Sequence, residues 1–149
     1  MTIEIKRAKT ADATGWAELR NKLWPASGRA HRLDVLKLTK PRAAVGFLAW
    51  NEDRVVGFVE ASLRPYANGC DERPVPFLEG LFVLPKYRRK DVGGSLVAAV
   101  EVWAMKRGHR ELGSDALLAN LGSHKAHRAY GFKETERVVY FRKKLTPKK

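Results

Sequence analysis

The sequence predicts a single mixed α/β (α+β) domain spanning residues 1–149. Three observations lead there. Strand-like and helix-like patterns follow one another in the order strand, two helices, three strands, helix, strand, helix, strand. A chain of 149 residues suits one domain with a sizeable core. No repeat, low-complexity segment or interdomain linker interrupts the pattern.

The elements are justified in turn. Residues 3–7 alternate apolar and polar side chains, as a short strand does. Thr10 or Asp12 is placed to cap a helix, which carries Trp16, Leu19, Leu23 and Trp24 on one stripe and is stopped by Pro25. Residues 30–39 give a second short helix around Leu33, Val35 and Leu36. Residues 43–50 and 55–63 read as strands joined by the polar turn NEDR, and residues 64–76 as a loop. Residues 77–84 read as a buried strand. Residues 92–106 form an amphipathic helix with Leu96, Val97, Val100 and Trp103 three and four apart. A short strand at 112–116, a helix at 121–130 ended by Gly131, and a last strand at 138–142 complete the chain.

Composition narrows the function. Hydrophobic residues are 44% and charged residues 30%, the balance of a globular protein. No apolar run approaches the ~20 residues that span a bilayer, and the opening MTIEIKR lacks the apolar stretch of a signal peptide. One cysteine, Cys70, excludes an intrachain disulfide and disfavours a thiolate metal site. A cytoplasmic protein without a metal is the expectation. The net charge of +13 invites an anionic partner: nucleic acid, a membrane surface or a phosphorylated cofactor. Basic residues cluster at 86–90, 106–110 and 142–149, whereas residues 60–79 carry Glu60, Asp71, Glu72 and Glu79 against Arg64 and Arg73. Such a chain is suited to bind an anion on one side and a cation on the other. The alternative is that these clusters only solvate the surface.

The run VLPKYRRKDVGGSLV, residues 83–97, passes from a strand through a basic cluster and two glycines into a helix. A helix N-terminus offers free N–H groups and the positive end of the helix dipole, so phosphate binds there. Glycine lets the backbone approach closely. Arg88, Arg89 and Lys90 add charge just before Gly93 and Gly94. An exposed turn with solvated charges is the competing reading. A G-x-x-x-x-G-K-S/T loop is absent, which disfavours ATP.

This stretch resembles the pyrophosphate loop of the GNAT acetyltransferases, R/Q-x-x-G-x-G/A. Arg88, Arg89, Lys90, Asp91, Val92 and Gly93 fill it in register. One departure is Asp91, which stands where the first glycine is expected. Aspartate tolerates a left-handed backbone better than most residues. Three further stretches resemble the aminoglycoside 6′-N-acetyltransferase branch: FLEGLFVLPKYRR (77–89), SDALLAN (114–120) with SHKAHRAYGF (123–132), and ETERVVYF (134–141). The early LRNKLWP (19–25) agrees with them. The resemblance implies a GNAT fold, a central mixed, mostly antiparallel sheet flanked by helices and splayed between the fourth and fifth strands. It also implies direct acetyl transfer from acetyl-CoA to a primary amine of an aminoglycoside, conferring antibiotic resistance, and a homodimer.

That reaction has physical needs. The ammonium must lose a proton before it attacks, so a carboxylate is required nearby. The thioester oxyanion needs a backbone N–H. The resemblance makes Asp115 and Glu79 catalytic candidates, and Trp24, Tyr66, Glu72, Glu79, Asp115 and Glu136 contacts to the aminoglycoside. It assigns Leu81, Phe82, Val83, Arg88, Arg89, Lys90, Asp91, Val92, Gly93, Gly94, Ser95, Asn120 and His127 to the cofactor. His127 occupies the position of the tyrosine that protonates the thiolate in many relatives, and Tyr130 lies three residues on. Plainer readings stand beside these: Glu79 paired with an arginine, Asp115 as a helix cap, Trp24 as core. A polyamine, a protein N-terminus or a lysine side chain is the alternative acceptor. A nucleic-acid-binding protein accounts for the charge, but the sequence has no helix-turn-helix pattern, zinc-ligand spacing or RNP-like strand. Neither nucleic acid nor a membrane is therefore expected as a partner.

Overall fold

The computed structural model describes residues 2–25, 28–39, 43–88 and 90–148. Four strands form one antiparallel sheet in chain order: β1 (Ile3–Arg7), β2 (Ala44–Asn51), β3 (Arg54–Arg64) and β4 (Val75–Val83). β2 and β3 meet at a two-residue turn, closed by the pair Asn51↔Arg54, where Glu52 takes a left-handed φ of 55°. β3 pairs on both sides and is covered on both faces, so it reads as an almost continuous apolar run.

The helices divide between the two faces because strand side chains alternate. After a turn of 3-10 helix at Thr10–Asp12, α1 (Ala13–Leu23) packs Trp16 and Leu19 on the face that carries Phe58 and Glu60. The ring of Trp24, just past its end, meets Phe58 edge-on at 6.2 Å. α2 (Gly28–Leu38) lies against α1 and buries Val35. On the other face, α3 (Val92–Lys106) buries Leu96, Val97, Val100, Trp103 and Ala104, with Leu96 against Gly57 of β3. α4 (Leu121–Ala129) follows, and Gly131 with a φ of +93° ends that segment as expected. Among the described residues, no helix is long and apolar enough to cross a membrane.

Three expectations change. Asp12 does not bond an N–H of α1; its carboxylate accepts from the Lys9 N–H at 2.8 Å. The strand expected at 112–116 is reduced to one parallel bridge, Phe77↔Gly113. The strand expected at 138–142 is absent: residues 133–148 carry no regular structure, and Val139, Tyr140 and Phe141 are 74, 82 and 92% exposed. Its β-branched and aromatic pattern is real, but a strand requires a neighbouring ladder, and no described strand lies beside it.

Glu60 does not belong to an acidic surface. It is 2% exposed, beneath α1, where the Trp16 indole N–H donates to it at 2.9 Å and the Arg20 guanidinium lies 3.1 Å away. Burial pushes its carboxyl up to about 7, against the lowering pull of Arg20 and of the Trp16 N–H. A carboxyl raised in the folded state holds its proton longer there than in the unfolded chain. Its stabilising contribution is therefore present at low pH and lost as pH rises towards about 7. Unfolding of wild type and Glu60→Gln should be compared between pH 5 and 8. The variant should gain on wild type as pH rises, by on the order of 2 kcal/mol; parallel curves would mean that Glu60 does not titrate in this window.

Candidate active site

The site lies where two chain segments part. Leu78 N–H bonds the Gly113 carbonyl at 2.8 Å, and Gly113 N–H bonds the Pro76 carbonyl at 2.9 Å. Beyond this parallel bridge, no described residue pairs with the outer edge of β4. Glu79 and Asp115 each stand two residues past the bridge, one on either parting segment. The β3–β4 register supplies a second reason for the position of Glu79. Glu60 pairs Gly80 and Ala61 pairs Leu78, so Glu79 is the extra residue of a β-bulge, which re-aims a side chain.

Arg64 grips Glu79 with two bonds, Nε to Oε2 at 2.8 Å and Nη2 to Oε1 at 2.5 Å, and the Ser62 hydroxyl donates to the same carboxylate. Ser62 and Arg64 are two apart on β3 and so share a face. The arginine stacks on Phe77, its guanidinium carbon 3.6 Å from the ring centre. The charges of Asp115 and Tyr140 also act on Arg64, after the Glu79 bond, in holding its pKa up. Asp115 is exposed. It caps no helix, because α4 begins at Leu121 and is capped by Asn120.

The other residues expected to contact the acceptor are spread around this centre. Trp24 covers Gly80, where a Cβ would come 2.3 Å from the indole. Tyr66 is 63% exposed in the loop after β3. Glu136 and Thr135 lie over Gly69 of that loop, bringing the root of the C-terminal segment to it. Glu72 is turned away from an open role. His109 Nδ1 lies 2.9 Å from its carboxylate, and the Arg110 N–H also donates to it; both hold its pKa down. Glu111 in turn accepts from the Asp71 and Glu72 N–H groups at 2.9 and 2.6 Å. Glu72 and Glu111 thus tie the loop to the segment before the bridge.

The basic cluster and glycines stand at the start of α3 as expected. Asp91 precedes the helix with φ 57° and ψ 22°, the left-handed conformation. Its carboxylate overhangs the first turn, 2.2 Å from where a Cβ of Gly94 would be. The Tyr130 hydroxyl lies over Gly93, 2.2 Å from the corresponding point, and burial together with Asp91 pushes its pKa up. Val92 sends its side chain into the core, leaving only its backbone towards the cradle. Ser95 and Lys90 are exposed. Arg88 folds back: its Nε donates to the Val83 carbonyl at 2.8 Å and its guanidinium lies 5.3 Å from the Phe82 ring centre. Arg89 lies outside the described residues. Leu81, Phe82 and Val83 continue β4 along the open edge. Asn120 accepts from the Ser123 N–H at 3.1 Å, capping α4.

His127 sits in a chain of hydrogen bonds that the sequence did not disclose. Nδ1 lies 2.7 Å from the Ser123 carbonyl, which makes it the N–H bearing nitrogen, and Nε2 accepts from the Ser114 hydroxyl at 2.7 Å. Ser114 immediately follows the bridge residue Gly113. Ser114, Ser62 and Arg64 were all missed. Only Arg64 left a trace, as the open alternative of an arginine partner for Glu79. Among the described residues, no group of three or more His, Cys, Asp or Glu side chains is arranged to hold a metal ion.

Residues 13–132 match the model of the acetyltransferase (GNAT) family. The chain belongs to the GNAT family. An aminoglycoside N(6′)-acetyltransferase type 1 from Acinetobacter haemolyticus is 44% identical over 144 residues, covering 96% of this chain and 99% of that one. The aminoglycoside antibiotic 6′-N-acetyltransferase of Acinetobacter baumannii superposes with a TM-score of 0.92 at 39% identity, over 97% of this chain and 100% of that one. A second solved relative, AAC(6′)-Iy in complex with the bisubstrate analogue CoA-S-monomethyl-acetylneamine, gives the same TM-score, identity and coverage. The GNAT fold expected from the sequence is thus the fold observed, with an antiparallel sheet flanked by helices and a parallel contact only at the splay.

Replacing Arg64 by Leu leaves Glu79 without its two strongest donors. Both groups are part-exposed, which limits the loss to about 1–2 kcal/mol of unfolding free energy. Urea denaturation reads this directly, and an unshifted midpoint would show that the pair contributes nothing.

Proposed function

We propose that this chain is an aminoglycoside 6′-N-acetyltransferase that moves an acetyl group from acetyl-CoA directly to the 6′-amine. The observation that carries the reading is the pair of carboxylates, Glu79 and Asp115, flanking the gap that opens after the Phe77–Gly113 bridge. Relatives with this name align over nearly the whole chain.

In this reading the start of α3 holds the pyrophosphate, through the N–H groups of residues 92–94 and the charge of Lys90; the Ser95 N–H is already given to the Asp91 carbonyl at 3.0 Å. The open N–H groups of β4 between Leu81 and Val83 receive the pantetheine arm and the thioester oxygen. Asp115 orients the substrate ammonium and takes its proton. The amine lone pair then attacks the carbonyl, a C–N bond forms, the C–S bond breaks, and the nitrogen gives up its second proton as the thiolate takes one up. Tyr130 carries a proton that the departing thiolate can take, whereas His127 supplies one only as the imidazolium, when its Nε2–H donates to the Ser114 oxygen and the Ser114 O–H turns to the sulfur; their places also sort them. Tyr130 lies over Gly93, at the phosphate end. His127, through Ser114, lies beside the bridge, at the reacting end. Glu79, held by Arg64, is a fixed charge for binding more than a mobile base. Trp24 and Tyr66 wall the acceptor and Glu136 closes it from the loop side. Glu72 acts through the loop that it braces. The product amide has one positive charge fewer, so the drug binds a polyanionic RNA less well, which gives resistance. The chain acts as one domain across residues 1–149, in the cytoplasm, where acetyl-CoA is made.

We infer further that it works as a homodimer. Residues 133–148 expose Val138, Val139, Tyr140, Phe141 and Leu145 together, a strand-like run without a ladder. Light scattering after size exclusion should report twice the chain mass, and Phe141→Asp should shift it to the monomer.

Two kinetic tests follow. Asp115→Ala should lower kcat with kanamycin by about 10²-fold or more, while the KM for acetyl-CoA stays within about twofold. Thiol release with spermidine or a basic peptide, but not with kanamycin, would move the acceptor to another class. Asp91→Gly removes a left-handed aspartate and a negative charge from the phosphate site. The KM for acetyl-CoA should fall roughly three- to tenfold, with Asp91→Asn giving most of the change; a rise would make the carboxylate part of the cradle.

A further inference from the structure

Residues 16 and 20 are four apart on one side of α1, and Trp24, four further on and just past the end of the helix, continues their line over the sheet. Beneath them a row of residues crosses three strands. Gly46 of β2 pairs Glu60 of β3, and Glu60 pairs Gly80 of β4. The stripe and the row match position for position. Trp16 lies over Gly46, where a Cβ would come 2.4 Å from its ring, and Trp24 lies over Gly80. Between the two tryptophans, Arg20 meets Glu60. Its Nε lies 3.1 Å from Oε2, and Nη1 lies 3.6 Å from Asp34 of α2. The Arg20 side chain is 12% exposed, and its guanidinium carbon lies 5.0 Å from the Trp24 ring centre.

As a source of stability this arrangement is poor. Arg20 Nε and Nη1 are buried without an aligned hydrogen bond, and Glu60 is desolvated by the same packing. A buried ion pair of this kind is commonly matched or bettered by apolar residues of similar volume. What an apolar pair lacks is a flat, directional face. A guanidinium stacks on an indole plane and fixes its tilt. Trp24 needs such a constraint, because it stands just past the last turn of α1 with φ −127° and ψ 85°. Its N–H is tied to the Arg20 carbonyl at 2.7 Å and its carbonyl to His31 Nε2 at 2.7 Å, but these ties hold only its backbone. Glu60 and Asp34 also cancel the charge of Arg20 beneath a wall that would face a polycation.

We propose that Arg20 and Glu60 are positioning residues for the acceptor site: Glu60 anchors Arg20, and Arg20 sets the plane of Trp24. This rests on the reading that Trp24 walls the acceptor site. Neither residue touches the acceptor, so the effect passes through Trp24 alone.

The experiment is steady-state kinetics with kanamycin and acetyl-CoA on wild type, Trp24→Ala, Arg20→Met, Arg20→Lys, the double variant Arg20→Met/Glu60→Met and the combination Arg20→Met/Trp24→Ala. Arg20→Met should raise the KM for kanamycin about fivefold or more, with kcat and the KM for acetyl-CoA within about twofold, and the combination should be no worse than Trp24→Ala alone. Arg20→Met/Glu60→Met leaves no buried charge unpaired and is expected to fold; its KM should rise as for Arg20→Met. Arg20→Lys keeps the pairing with Glu60 but not the flat face, so its melting temperature should stay near wild type while the KM rises. An unchanged KM in Trp24→Ala overturns the acceptor-wall reading itself. A raised KM in Trp24→Ala with a folded Arg20→Met/Glu60→Met at wild-type KM overturns the positioning role alone. So do additive penalties in the combination.

Discussion

Two backbone hydrogen bonds, at Leu78 and Gly113, govern the site. They join β4 to the segment after α3 for the length of one residue pair and then stop. Had the pairing continued, the outer N–H groups of β4 would have been consumed and Glu79 and Asp115 would have been flanked by ladder. Because it stops, a strand buried on one side is open on the other. An open edge inside a protein is costly unless something fills it. The gap therefore suits a ligand that is itself a peptide-like chain, and the pantetheine arm of CoA is one. Glu79 adds to this through its bulge, which turns a strand residue out of the regular alternation at the place where the edge becomes free.

The electrostatics follow a similar economy. The chain carries +13, yet the proposed acceptor side is assembled from carboxylates. Each deeper carboxylate has a named partner: Glu79 accepts from Arg64 and Ser62, Glu72 is held by His109 and the Arg110 N–H, and Glu60 accepts from Trp16 and lies against the Arg20 charge. Such pairing fixes geometry and trims the local field. Asp115 is the exposed exception beside them, which suits the proton exchange proposed for it. The remaining positive charge lies largely elsewhere, and at physiological salt it is screened within about 8 Å. A local acidic pocket can thus attract a polycation on a basic protein.

How much of this was legible depended on whether the cause was local. The bounds of α3, Val92 to Lys106, matched the expectation because a strong helical period and a glycine start are both written in neighbouring residues. Asp91 was readable for the same reason, and its left-handed backbone is the one anticipated for it. The last strand was not, because the ladder it needs lies beyond its own residues. Glu60 was misplaced on an acidic surface, although it stands in an apolar stretch, VVGFVEASL, that hinted at burial. Arg20 was passed over while Trp16 and Trp24 were noted on either side of it. Ser114 and Ser62 gave no signal, since a single hydroxyl becomes informative only beside His127 or Glu79.

These differences in legibility follow the chemistry of the two halves. The proposed cofactor half is built from the core outward: Val92 and Val83 bury their side chains and leave their backbones at the start of α3 and along the open edge of β4. Its pattern is constrained by packing, and packing leaves periodic traces in sequence. The proposed acceptor half is built from polar ties between loops and strand edges, among them Glu72 with His109 and Glu111 with the Asp71 and Glu72 N–H groups. Each tie replaces water by a donor at little net free energy, so each can be exchanged for another without loss of the fold. The Trp16–Arg20–Trp24 stripe is the exception, since it ties Trp24, just past the end of α1, to core contacts of that helix.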